Sequence, residues 1–209
     1  MNREQIMQVL ESFVGNIEQI PPMYSAVKVN GKKLYEYARE NIEVERPKRE
    51  VTVYELELLS EEEQFTGDMI RFSIRVRCSK GTYVRTLAYD IGQKLGYPAH
   101  LSDLVRTKSG PFTLEECVTF EEIEQYVQAE KIDELLFPME KGIAHLASIV
   151  VTEEIEEKVK HGAVLPVIEK MEDCPYAVYN KDKRIIAIYE KHPTKPAYMK
   201  PKKVLNHSC

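Results

Sequence analysis

The stretch Met69-Ile-Arg-Phe-Ser-Ile-Arg-Val-Arg-Cys78, continuing as Ser79-Lys-Gly-Thr-Tyr-Val-Arg-Thr-Leu87, decides the fold class. Ile70, Phe72, Ile74, Val76 and Cys78 alternate with Arg71, Ser73, Arg75 and Arg77. Period two with one apolar face predicts a half-buried strand. Ser79 to Thr82 then reads as a turn, with Thr82 as the expected cap of a helix. Val84, Leu87, Ala88, Ile91 and Leu95 supply the buried stripe of that helix, and Gly96 and Pro98 stop it. A strand feeding directly into an amphipathic helix points to an α+β domain.

Working outward, Val51 to Leu59 alternates as well. Tyr54, Leu56 and Leu58 are expected on one face, and Glu55 and Glu57 on the other. A polar loop containing Gly67 joins the two strands. At the start, Asn2 and Gln5 fit a capping box, Ile6, Val9, Leu10 and Phe13 follow at helical spacing, and Gly15 ends the helix. Pro21-Pro22 forces extended chain over Met23 to Val29, Asn30-Gly31 marks a turn, and Lys33 to Arg39 is a short helix. Leu101 to Thr107 reads as a short strand, and Thr119 with Glu122 opens a further helix.

Near Gly142 the character changes. Ile149 to Val151 is an expected strand. Thr152 caps a helix that Gly162 ends. Tyr176 to Tyr179 and Arg184 to Tyr189 flank a hairpin turn at Asn180-Lys-Asp-Lys. These residues form a second, small β-rich domain.

Net charge is −5 over 209 residues, which by itself disfavours nucleic acid. The average conceals three regions. Residues 1 to 112 are neutral, residues 113 to 157 carry net −11, and residues 158 to 209 carry net +6. Lys191 to Lys203 holds five lysines and no acid. No apolar run approaches the roughly 20 residues needed to cross a bilayer, and Met1 to Gly15 has no signal-peptide core. Cys78, Cys117, Cys174 and Cys209 lack metal-ligand spacing and are expected as free thiols in a reducing cytosol. The histidines at 100, 145, 161, 192 and 207 lie apart, and no metal site, phosphate loop or nucleophile motif is present.

The chemistry concentrates at Tyr83 and Arg85, at the start of the predicted helix. Free backbone N–H groups there favour an anion, and an arginine near an aromatic ring suits a base beside a charge. A plainer reading packs Tyr83 in the core and leaves Arg85 in a surface pair.

Four segments in order carry a resemblance. Pro22-Met-Tyr-Ser-Ala-Val-Lys28 with Gly31-Lys-Lys-Leu-Tyr-Glu-Tyr-Ala-Arg39 resembles the third signature segment of the TruB tRNA pseudouridine synthases. Cys78-Ser-Lys-Gly-Thr-Tyr-Val-Arg85 resembles the arginine motif of that family, and Ala99-His-Leu-Ser-Asp-Leu-Val-Arg-Thr107 its following motif. Leu136-Phe-Pro-Met139 resembles the link to the C-terminal RNA-binding domain.

The resemblance implies part of a pseudouridine-synthase mixed sheet flanked by helices over 1–112. An acidic helical connector follows over 113–147, then a PUA-like β-rich domain over 148–209. It implies isomerisation of a T-loop uridine in tRNA, with no metal and no cofactor, on a base flipped out of the loop. Arg85 matches the arginine that pairs with the catalytic Asp, Tyr83 a tyrosine of the uridine pocket, and Leu104 the leucine that closes it. Lys28, Lys32, Lys33, Arg71, Arg75, Arg77, Lys80, Arg106, Lys200, Lys202 and Lys203 are the expected RNA contacts, through phosphates rather than bases.

Two departures accompany the resemblance. Val105 stands where the family has an arginine. The segments G-x-L-D-P, which bears the nucleophile, and K-x-Y, which stacks on the base, have no matching counterpart; they are expected ahead of Met1. The aspartates at 68, 90, 103, 133, 173 and 182 stand in none of that context. The expected protein is therefore a C-terminal two thirds, inactive alone, monomeric as the whole enzyme and prone to self-association as a fragment. The alternative is a non-catalytic RNA-binding protein on the same scaffold.

Overall fold

A computed structural model describes residues 1–167 and 171–205. The chain divides into two compact units, Met1–Leu104 and Val105–Cys209. The fold class is α+β, as the alternating patterns predict.

The first unit begins with α1 (Arg3–Glu11), whose Asn2 side chain and Gln5 form the expected capping box. The helix ends at Glu11, short of Gly15. Gly15 instead opens β1 (Gly15–Gln19). A small hairpin, β2 (Lys28–Val29) and β3 (Lys32–Lys33), turns at Asn30-Gly31 and leads into α2 (Leu34–Arg39). The long β4 (Arg49–Leu58), β5 (Ile74–Cys78) and α3 (Val84–Leu95) complete the unit. β4 lies at the centre of an antiparallel sheet, between β1 and β5.

The core of this unit lies between α1, α3 and one sheet face. Ile6, Leu10, Leu58, Phe65, Leu87 and Ile91 are its buried residues. The predicted stripe of α3 is the face that packs. Burying each such side chain contributes roughly 1.5–3 kcal/mol. At the other end of α3, Gly96 adopts the left-handed conformation that closes a helix, φ 82°.

Several expectations need correction. Tyr54 does not share a face with Leu56 and Leu58. A register shift between Val53 and Glu55 gives β4 an extra residue at that point. Val51 and Val53 are buried before it and Leu58 after it, while Tyr54 is exposed. A bulge reverses side-chain alternation, which a strict period-two reading does not anticipate. The predicted strand from Met69 pairs only from Ile74 onward, although exposure alternates from Ile70. Met23 to Val29 is not extended throughout: residues 23–25 bend, and Lys28–Val29 is strand. Thr82 does not cap α3: its hydroxyl donates back to the Ser79 carbonyl at 2.9 Å, and Tyr83 occupies the cap position. Leu101 to Thr107 forms no strand.

The second unit opens with a two-stranded hairpin, β6 (Lys108–Ser109) and β7 (Phe112–Thr113). Then come α4 (Phe120–Gln128), capped by Thr119 and Glu122 as expected, and α5 (Met139–Ile143). Next are β8 (Ala147–Val150), α6 (Glu153–Lys160), β9 (Leu165–Pro166), β10 (Tyr176–Tyr179), β11 (Ile185–Lys191) and β12 (Tyr198–Val204). These five strands form one sheet in the order β8-β10-β11-β12-β9, parallel only between β8 and β10. The expected hairpin at Asn180 is present. Its side chain accepts from the Asp182 and Arg184 N–H groups at 3.1 and 3.0 Å. Val159, Val178, Ala187 and Tyr189 anchor a separate core, and the Tyr189 hydroxyl donates to the Ala163 carbonyl at 2.8 Å.

Candidate functional site

Arg85 stands in the first turn of α3, one strand-turn away from Cys78. Its Nη2 donates to the Tyr24 carbonyl at 3.2 Å. A cleft of about 670 Å³ opens beside it, lined among others by Ile20, Pro22, Arg46, Arg85, Tyr89 and Asp90. Arg46 donates to the Pro21 carbonyl at 3.1 Å. Among the described residues neither Arg46 nor Arg85 stands in an ion pair. Both guanidiniums meet neutral carbonyls, so their charge is available to an anion entering the cleft. Lys48, the other cation of the cleft, is already paired with Glu18 at 3.0 Å.

Asp90 is the aspartate that lies in the cleft. Partial burial pushes its carboxyl above the ordinary aspartate value of 3.8. It sits in the middle of α3.

Tyr83 is half-buried, and its backbone is gripped by a residue the sequence reading did not single out. The Gln19 carboxamide accepts from the Tyr83 N–H at 2.9 Å and donates to the Tyr83 carbonyl at 3.3 Å. Gln19 is only 2 % exposed. A single glutamine before two prolines carries no pattern signal. Only the fold brings it to a position 64 residues further along the chain.

The remaining predicted residues scatter. Leu104 is 55 % exposed and lies at the end of the first unit. Lys28 is exposed on the small hairpin; Lys32 pairs with Glu40, and Lys33 donates to the Tyr35 hydroxyl at 3.3 Å. Arg75 and Arg77 face Glu57 and Glu55 across the β4–β5 pair, at 2.9 and 2.6 Å. The Arg77 guanidinium holds the Glu55 carboxyl below its usual range. That sheet face is thus a ladder of opposite charges rather than an unbalanced basic stripe. Arg71 contacts the Met69 sulfur at 3.6 Å, and Lys80 and Arg106 are exposed. In the second unit Lys200 and Lys202 both reach Glu190 at 3.3 Å, leaving Lys203 exposed. Their hydrogen bonds, that of Lys200 first, lower the Glu190 carboxyl.

Among the described residues no group of His, Cys, Asp and Glu could hold a metal. Cys78, Cys117 and Cys174 are free thiols, and Cys209 lies outside the described residues. No described helix is long and apolar enough to cross a membrane.

Residues 1–84 match the TruB family pseudouridylate synthase N-terminal domain, and residues 85–144 match the tRNA pseudouridylate synthase B C-terminal domain. The chain belongs to the TruB family. The tRNA pseudouridine synthase B of Geobacillus thermodenitrificans is 55% identical over 204 residues, 97% of this chain and 68% of that protein. That of Halalkalibacterium halodurans is 56% identical over 199 residues, 95% of this chain and 64% of that protein. A chain in the crystal structure of a Cbf5-Nop10-Gar1 complex superposes with a TM-score of 0.76 at 28% identity, covering 98% of this chain and 62% of that one. The chain therefore spans about two thirds of the length of the relatives it matches.

Proposed function

We propose that this chain supplies the arginine side of the uridine pocket in a tRNA pseudouridine synthase acting on the T-loop in the cytosol. The observation that carries the reading is Arg85, unpaired by any carboxylate among the described residues, beside a cleft in a family of pseudouridine synthases. In the isomerisation the N1–C1′ bond of uridine breaks, a C5–C1′ bond forms, the proton leaves C5 and N1 gains one. No net oxidation occurs. An attacking aspartate must be oriented and kept ionised. A guanidinium can hold a carboxylate by two parallel hydrogen bonds, which does both. Tyr83 lies beside Arg85 on the same turn and would border the flipped base.

The nucleophile is not among the aspartates of this chain. Asp90 lies in the cleft, but it stands in the middle of α3, after Arg85 on the same helix, and outside the G-x-L-D-P context in which the nucleophile is expected. The isolated chain is then inactive, and activity requires the part of the relatives that lies outside the match.

The test is tritium release from a T-stem-loop labelled at uridine C5. Two proteins are compared: the chain alone, and the chain joined to the unmatched part of the Geobacillus thermodenitrificans relative. Release by the joined protein and none by the chain is expected. No release by either, with tRNA bound, would favour a non-catalytic RNA-binding role.

A further inference from the structure

The turn that presents Arg85 begins without a side-chain cap. Tyr83 occupies the cap position of α3 and offers no capping hydrogen bond. Its backbone N–H donates to the Gln19 carboxamide oxygen at 2.9 Å, and its carbonyl, which also accepts from the Leu87 N–H at 2.9 Å, accepts from the Gln19 amide at 3.3 Å. A carboxamide presents one donor and one acceptor side by side, which is what a strand partner would present. Gln19 is the last residue of β1 and is 2 % exposed. The chain that follows it, Ile20 to Pro22, walls the cleft, and Tyr24 receives the Arg85 guanidinium. Arg46 ties down the same segment through the Pro21 carbonyl.

We propose that Gln19 is a positioning residue for the reaction, locking the Tyr83–Arg85 turn to the cleft wall so that Arg85 is held at a fixed place and angle. This rests on the reading of Arg85 given above. Gln19 touches neither substrate nor the reacting atoms; it acts through the Tyr83 backbone. Misplacement of a catalytic group by about 1 Å can cost on the order of a hundredfold in rate. A loosened turn therefore shows in the chemical step rather than in RNA affinity.

The test uses the joined protein and two variants. Gln19→Met keeps the length and apolar stem but removes both polar contacts. Gln19→Glu keeps the shape, and its protonated form restores one donor and one acceptor. For Gln19→Met, the single-turnover rate of pseudouridine formation is expected to fall roughly ten- to hundredfold. The dissociation constant for the T-stem-loop should stay within about threefold, well under one contact's worth of free energy. For Gln19→Glu, the rate relative to the parent should recover as pH falls from alkaline to mildly acidic, because the acid form mimics the amide. A Gln19→Met rate within twofold of the parent overturns the proposal. Should that variant fail to fold, a Gln19→Glu rate ratio flat across pH overturns it. A parent protein that makes no pseudouridine defeats the reading of Arg85 itself, which separates the two failures.

Discussion

The Arg85 guanidinium spans from α3 to the Tyr24 carbonyl, 61 residues earlier in the chain, and meets it at 3.2 Å. A neutral carbonyl is a weaker partner for a guanidinium than a carboxylate. The bond also sits at an exposed position, where net contributions are small. Arg85→Ala is therefore expected to cost the isolated chain less than about 1 kcal/mol in urea unfolding. A larger loss would make Arg85 a structural residue of this unit.

Asp90 gives a pH signature. Burial raises its carboxyl above 3.8, so the folded state binds the proton more tightly than the unfolded state. Below that value both states are protonated and stability is unaffected. As pH rises through 3.8 and up to the raised folded value, stability is lost. Asp90→Asn removes this penalty. The variant should match the parent in acid and exceed it near neutrality, measured as urea midpoints at both pH values.

Gly92 is required by a close approach. A Cβ built there would lie 2.3 Å from the Ala99 Cβ and 2.9 Å from the Tyr97 carbonyl oxygen. The backbone oxygen cannot rotate away, so the segment after α3 must shift. Gly92→Ala is expected to destabilise the chain by about 1–3 kcal/mol, despite the better helix propensity of alanine. Thermal unfolding of the variant checks this.

The lysine-rich strand β12 is less free than its composition suggests. Lys200 and Lys202 share Glu190. If this strand meets tRNA phosphates, replacing Lys200, Lys202 and Lys203 together with Ala should reduce the salt slope of binding by less than three contacts' worth, at about 0.7–0.9 per contact. Glu190→Gln, which releases two lysines, should steepen the slope. An unchanged slope in both variants would make this strand plain surface.

Much of the architecture was legible because it is local. The capping boxes of α1 and α4, the apolar stripe of α3 and the turn at Asn180 each follow from residues within a few positions of one another. What escaped was set by pairing at a distance. β1 contains Asn16, Glu18 and Gln19, poor strand formers that β4 nonetheless holds in register. The bulge at Tyr54 reverses a pattern that looked regular. Arg75, Arg77, Lys200 and Lys202 read as unpaired cations because the sequence does not show that Glu57, Glu55 and Glu190 lie beside them. Arg85 stood out in its motif as a candidate, whereas the bond between Gln19 and the Tyr83 backbone became visible only with the fold.

The most direct measurement of the account is Arg85→Lys in the joined protein, read as single-turnover pseudouridine formation alongside T-stem-loop affinity. Lysine keeps the charge but loses the two-point grip on a carboxylate. The rate of Arg85→Lys is expected to be lower by on the order of a hundredfold, with affinity within about threefold of the parent. A rate within twofold of the parent would contradict it.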